Sequence, residues 1–139
     1  MTWKIPDNSL ILLISSFIFC WSAVKQARQP FIESFGLEEN DIAYIGSQIN
    51  LTCEMKNAQV SIFLKSGVAV KEGGRYKYIH VHSTHKRLDS YLEITNVTRD
   101  DQGNYTCFAY KNGILTSAKY TLKTGLWLWF QLSSLLQLL

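Results

Sequence analysis

Apolar and polar positions alternate with period two along several short segments of this chain, the pattern of a β-strand that buries one face. Ile49, Leu51 and Cys53 share one side of such a segment, with Asn50 and Thr52 on the other. Leu92 with Ile94, and Tyr105 with Cys107 and Ala109, repeat the arrangement against Glu93, Asn104 and Thr106. Strands that are half polar belong to antiparallel sheets with one solvated side, not to a parallel sheet covered on both. Between the last two segments, Thr98 to Gly103 is polar and turn-forming, with Asp101 and Gly103 suited to cap and reverse the backbone. Lys111-Asn112-Gly113-Ile114 sets an Asn-Gly pair between two alternations and predicts a tight hairpin, because both central residues of a type I′ turn need positive φ. Ala118, Tyr120 and Leu122 then alternate with Lys119, Thr121 and Lys123 as a closing strand. Tyr76, Tyr78, His80 and His82 alternate with Lys77, Ile79 and Val81. With Ile79 and Val81 on the core, the aromatic and imidazole side chains form one outward stripe.

The two ends follow a different rule. Leu10 to Phe19 is an apolar run behind a polar start containing Lys4, and Cys20 and Ser22 offer small residues for cleavage, so residues 1–22 read as a secretory signal peptide. The run is shorter than the roughly 20 residues a bilayer span needs. Residues 125–139 form an apolar carboxyl-terminal tail around Trp127, Trp129 and Phe130, again too short and interrupted for a span. It resembles the hydrophobic end of a glycosylphosphatidylinositol signal, yet the spacer such a signal requires puts cleavage at Ser117-Ala118, inside the closing strand. Three outcomes stand for it: loose membrane association, a lipid anchor, or packing on the protein itself or a partner. With 139 residues the chain has room for one domain of about 100 residues, set at 30–124. A net charge of +3 is too mild to indicate nucleic acid.

The run Leu92-x-Ile94-x-x-Val97-x-x-x-Asp101-x-Gly103-x-Tyr105-x-Cys107, with Cys53 inside Gly46-x-x-Ile49-x-Leu51-x-Cys53, resembles the two halves of an immunoglobulin domain. The resemblance implies an all-β sandwich of two antiparallel sheets, of intermediate type, with Cys53 on strand B joined to Cys107 on strand F. It also implies a tyrosine corner at Tyr105 and a salt bridge between Arg75 and Asp101. The tryptophan that packs on the disulfide in this fold is missing from Val60-Ser61-Ile62-Phe63-Leu64, so Ile62 or Phe63 fills its place.

Sequons begin at Asn50, Asn96 and Asn104. In immunoglobulin topology they gather at the end carrying the A to B and E to F turns, which directs partner binding to the opposite end, at Lys56, Gln59, Lys111 and Asn112. His80, His82 and His85 lack a cysteine or carboxylate to complete a metal shell, and no metal or other cofactor is expected. Lys71, Arg75, Lys77, Lys86 and Arg87 form a basic cluster that suggests contact with heparan sulfate. No nucleophile elbow, phosphate loop or paired catalytic carboxylates occur, so the chain does not read as an enzyme. Chains with one such domain and a signal resemble the small one-immunoglobulin-domain proteins of nematode nervous systems. That resemblance implies a secreted or cell-surface protein that binds an extracellular or cell-surface protein in neuronal adhesion, synapse organisation or axon guidance. The alternatives are a soluble receptor regulator and a matrix component retained by heparan sulfate.

Overall fold

The computed structural model describes residues 29–38, 41–83, 86–127 and 135–138. The signal peptide expected at 1–22, His85, and Trp129 and Phe130 of the tail lie outside the described residues. Among the described residues nine strands follow in order: β1 (Phe31–Leu37), β2 (Ile42–Tyr44), β3 (Ile49–Lys56), β4 (Val60–Lys65), β5 (Val68–Ala69), β6 (Tyr76–His82), β7 (Arg87–Ile94), β8 (Gly103–Lys111) and β9 (Ile114–Gly125). One turn of 3-10 helix, Arg99–Asp101, separates β7 from β8.

They form a four-stranded sheet, β1-β3-β7-β6, and a five-stranded sheet, β2-β9-β8-β4-β5. Pairing is antiparallel except where β2 runs parallel to β9. The first strand is thus divided between the sheets, β1 pairing with β3 in one and β2 with β9 in the other. A two-residue β5 places the five-stranded sheet between the seven- and nine-strand forms of the immunoglobulin sandwich.

The core follows the alternation. Leu51, Cys53 and Met55 of β3, Leu88, Leu92 and Ile94 of β7, and Tyr105, Cys107 and Ala109 of β8 are all buried. Cys53 and Cys107 form the disulfide that joins the two sheets, with their Cα atoms 6.5 Å apart. Phe63 is fully buried, whereas Ile62 is half exposed, so Phe63 takes the tryptophan's place. It sits opposite Cys107 in the β4–β8 pairing and packs its ring 5.9 Å from that of Phe35 and 5.7 Å from that of Tyr78. At the β8–β9 hairpin, Asn112 and Gly113 have φ of 49° and 80°, the left-handed pair a two-residue turn of this kind demands.

The expected outward stripe on β6 is reversed. Tyr76, Tyr78 and His80 stand opposite Ile94, Leu92 and Ser90 of β7, all fully buried, so they face the core side. Ile79 and Val81 stand opposite Tyr91 and Asp89 on the outer side, and Val81 is exposed. Both faces of β6 carry apolar surface, so its own alternation does not fix the phase. The larger area of two tyrosine rings, each with an acceptor for its hydroxyl, decides it. Tyr78 donates to the Val70 carbonyl at 2.6 Å, and Tyr76 donates to Asp101.

Candidate recognition surface

The two poles of the sandwich have different chemistry. At the pole where β3 and β8 begin, Asp101 is fully buried at the end of the 3-10 turn. Its carboxylate accepts from Arg75 Nη1 at 2.7 Å and Nη2 at 3.2 Å, from the Tyr76 hydroxyl, and from the Thr98 amide at 2.7 Å. Burial is the strongest single influence on this carboxyl and would raise its pKa. The Arg75, Tyr76 and Thr98 donors together outweigh it and hold the group at about 2, from an ordinary 3.8. The Tyr105 hydroxyl donates to the Asp101 carbonyl oxygen at 2.6 Å, and burial pushes that phenol well above its usual range. These contacts lock the corner between β7 and β8 and leave Asp101 no open side for a ligand.

All three sequons lie toward this pole. Asn96 and Asn104 are exposed, and the Asn104 Oδ1 accepts from Thr121 Oγ1 at 2.8 Å. Asn50 is partly buried in a shallow cleft lined by Leu37, Glu38, Ile42, Tyr44 and Ile49, where its Oδ1 is enclosed without a hydrogen-bond partner.

Lys56, Gln59, Lys111 and Asn112 come together at the other pole, where β3 and β8 end and β4 begins. Lys56 is committed to an ion pair with Glu33. Gln59 and Asn112 are exposed, and the Gln59 amide donates to the Tyr110 carbonyl at 3.0 Å, which ties the β3–β4 loop to the end of β8. Ser61 of β4 donates across the core to Ser90 of β7 at 2.6 Å, and Ser90 contacts His80 Nδ1 at 2.9 Å. This polar bridge accounts for two buried hydroxyls and one of the histidines.

The basic cluster does not assemble. Arg75 and Arg87 flank β6 at opposite ends, roughly 20 Å apart at a strand's rise per residue. Arg75 belongs to Asp101, and Arg87 is held by Asp89 at 2.9 Å, Glu54 at 3.0 Å and Glu33 at 3.8 Å. Carboxylates next to each arginine divide the positive charge into two neutralised sites, leaving Lys71, Lys77 and Lys86 exposed. Among the described residues no group of three histidine, cysteine or acidic side chains could hold a metal, and no helix is long and apolar enough to cross a membrane.

Sequence reasoning overlooked the outer face of the five-stranded sheet. Val60 of β4, Tyr110 of β8 and Leu115 of β9 stand in one cross-strand row, and Ile62, Phe108 and Ser117 in the next. Leu115 is 59% exposed, Val60 51%, Ile62 49% and Tyr110 44%. Direct cross-strand neighbours place these side chains within contact of one another, so they make a continuous apolar surface. Contiguous exposed apolar surface is the kind that proteins can bury against a partner. The signal lay in β4 itself: Phe63 and Ile62 cannot both face inward, and assigning Phe63 to the core turns Val60, Ile62 and Leu64 outward.

Comparison with curated proteins returned no match. Among solved structures, the eight N-terminal immunoglobulin domains of the Down Syndrome Cell Adhesion Molecule are 23% identical with a TM-score of 0.61, over 68% of this chain and 12% of that one. A Dpr2 structure in complex with DIP-Theta is 20% identical with a TM-score of 0.59, over 69% and 32%. An I-band fragment of titin is 21% identical with a TM-score of 0.56, over 68% of this chain, which spans only 32% of the fragment. Identities at this level speak for the fold alone. The immunoglobulin domain model matches residues 43–119, which run from β2 into β9 and include both halves of the disulfide and the Tyr105 corner. By that match over more than half its length, the chain belongs to the immunoglobulin domain family.

Proposed function

We propose that this protein is an extracellular recognition module that binds a cell-surface protein, acting in neuronal adhesion or synapse organisation. The observation that carries the reading is the half-exposed row Val60, Tyr110 and Leu115 with Ile62 beside it. A domain that binds nothing gains nothing from leaving these side chains in water, and a recognition domain uses them as anchors. The pole expected for binding adjoins the same row, since Gln59 precedes Val60 and Lys111 follows Tyr110. The similar structures include an adhesion molecule and a Dpr2–DIP-Theta complex beside a titin fragment, so the fold is one that recognition proteins use, without naming a partner.

In this reading residues 1–22 direct secretion, and glycans on Asn50, Asn96 and Asn104 keep the Asp101 pole clear of contacts. The tail from Gly125 provides loose membrane contact or a lipid anchor. Retention in matrix through the β6 cluster is disfavoured by the separation of Arg75 and Arg87. The test is to apply the labelled secreted chain to live neurons and unrelated cells, and to ask whether cells displaying the chain aggregate. Saturable binding confined to neurons supports the reading, and its absence from every cell type overturns it.

A further inference from the structure

The three sequons share a pole, but their asparagines belong to different surfaces. Asn96 has a φ of 49° in the turn between β7 and β8, past the end of either strand. Asn50 shares the outer side of β3 with Thr52 and Glu54 and stands opposite Glu93 of β7, in a polar column. Asn104 is placed differently. Tyr105, Cys107 and Ala109 are buried, which turns Asn104, Thr106, Phe108 and Tyr110 outward in one column along β8. The neighbouring strands put Leu64 and Lys119 beside Thr106, Ile62 and Ser117 beside Phe108, and Val60 and Leu115 beside Tyr110. The apolar surface therefore begins one row from Asn104 and widens toward the hairpin. The Asn104 side chain is also oriented: its Oδ1 accepts from Thr121 Oγ1 of β9 at 2.8 Å, which turns Nδ2, the atom that takes a sugar, away from β9. Attachment removes one N–H from Nδ2 and leaves Oδ1 an acceptor, so the bond to Thr121 survives it.

Resting on the secreted, glycosylated recognition reading above, we infer that the glycan on Asn104 lies back along β8 and covers Leu64, Thr106 and Phe108, leaving Val60, Tyr110 and Leu115 as the apolar surface open to a partner. An N-glycan starts with two N-acetylglucosamine rings, and each ring has a face of C–H groups and an acetyl methyl. The negative face of an aromatic ring attracts such C–H hydrogens, while the sugar hydroxyls stay in water. Toward the pole the sugar finds only solvent, and toward the hairpin it finds partly exposed Leu64 and Phe108. At a strand's rise per residue, Phe108 is about 13 Å from Asn104 and Tyr110 about 20 Å. The two rings and their linkage reach the first and stop short of the second, so Ile62, in the Phe108 row, stands at the boundary. Lys119, exposed beside Thr106, brings an ammonium donor to the sugar hydroxyls. The attached sugar thus keeps part of the face out of water and bounds the part that recognition uses.

The test uses the full secreted chain, with glycopeptide mapping of Asn104 and hydroxyl-radical oxidation read residue by residue in a mass spectrometer. Leu64 and Phe108 should oxidise severalfold faster in Asn104→Gln and Thr106→Ala, which both lose the sequon, than in wild type and Thr106→Ser, which both keep it. Enzymatic removal of the glycan from the folded wild type should have the same effect, so the result does not depend on any variant folding. Asn96→Gln should match wild type, and Tyr110 and Leu115 should oxidise alike throughout. On live neurons, Leu115→Ser should lose the binding that Asn104→Gln keeps. Equal oxidation of Phe108 with and without the sugar would overturn the inference and leave the recognition reading standing. Protection that persists without the sugar and falls on dilution would assign the cover to a second copy and overturn it too. Loss of neuronal binding on removing the sugar would place the glycan inside the contact, against the inference. An unmodified Asn104 would reject the inference together with the glycan assigned there. Protection by the sugar in a chain that binds no cell would uphold the cover and reject the recognition reading.

Discussion

Asp101→Ala is the substitution with the most predictable consequence. The wild-type carboxylate receives both Arg75 nitrogens, the Tyr76 hydroxyl and the Thr98 amide while fully buried. Alanine takes this acceptor from the Tyr76 hydroxyl and the Thr98 amide, and leaves the Arg75 guanidinium without its counter-charge, with only the Asn96 and Thr95 carbonyls to receive it. Breaking a buried pair by removing one partner costs about 3 to 5 kcal/mol, a large share of the ~5 to 15 kcal/mol that holds a domain folded. With a urea dependence of about 1 to 1.5 kcal/mol per molar, the midpoint should fall by roughly 2 to 5 M. Equilibrium urea unfolding of the oxidised domain, followed by tryptophan or tyrosine fluorescence, reads it directly.

Acid provides an independent check on the same group. The folded-state pKa of Asp101 lies below the unfolded value, so its contribution is fully present above about pH 4 and disappears as pH falls through about 2. A shift of that size corresponds to about 2 kcal/mol. Stability of the wild type should therefore decline by about this amount between pH 4 and pH 2, and Asp101→Asn, which keeps the shape without the charge, should lack that part of the decline. An alanine variant within about 1 kcal/mol of wild type, or an asparagine variant with an unchanged acid profile, would refute the account of this corner.

Other substitutions probe the rest of the frame. Replacing Cys53 and Cys107 with alanine removes a cross-link spanning 54 residues and should cost about 4 kcal/mol in the chain-entropy account, read as a fall in secreted, folded protein. Phe63→Ala should cost about 3 to 5 kcal/mol and Ile62→Ala less than about 1, measured side by side in urea; equal costs would mean that β4 has the opposite phase. Tyr105→Phe keeps the ring but strands the Asp101 carbonyl, for a loss of about 1 to 3 kcal/mol in the same assay. Asn96→Gln and Asn104→Gln should each lower the intact mass of the secreted protein by one glycan with little change in unfolding midpoint, because both side chains are exposed.

The fold was legible in the sequence wherever one face of a strand was unambiguously apolar. Ile49, Leu51 and Cys53 have polar neighbours at every alternate position, and Tyr105 and Cys107 are flanked by Asn104 and Thr106, so one phase buries more apolar surface than the other. The Asn112-Gly113 turn was legible for a similar reason, since few residue pairs accept two left-handed conformations. Legibility failed at β6, where Tyr76 and Tyr78 compete with Ile79 and Val81. The choice there depends on acceptors for two hydroxyls, the Val70 carbonyl and Asp101, supplied by segments distant in sequence. The basic cluster failed for the same reason: adjacency along the chain said nothing of Glu33 and Glu54, which reach Arg87 from β1 and β3.

The strand that matters most for function shows why such conflicts are informative. Judged by its own residues, β4 should bury Val60, Ile62 and Leu64 and expose Ser61, Phe63 and Lys65, because the first set is the more uniformly apolar. The sandwich imposes the reverse. Phe63 must lie opposite Cys107 to fill the space beside the disulfide, and once it does, Ser61 is carried into the interior and bonds to Ser90 of the facing sheet. A buried hydroxyl that requires a partner and an outward row of aliphatic side chains are two consequences of one phase. Local preference and global packing agree along most strands of a stable domain, and where they part, the discrepancy marks a surface maintained for something other than stability. In this chain that discrepancy falls on β4 and continues across Tyr110 and Leu115. Making the outward positions polar, with Val60→Thr and Ile62→Thr together, should leave the unfolding free energy in urea within about 1 kcal/mol of wild type, since these exposed positions contribute little to folding. The same double variant should lose cell binding; retention of binding with a collapsed midpoint would show that these residues belong to the core after all.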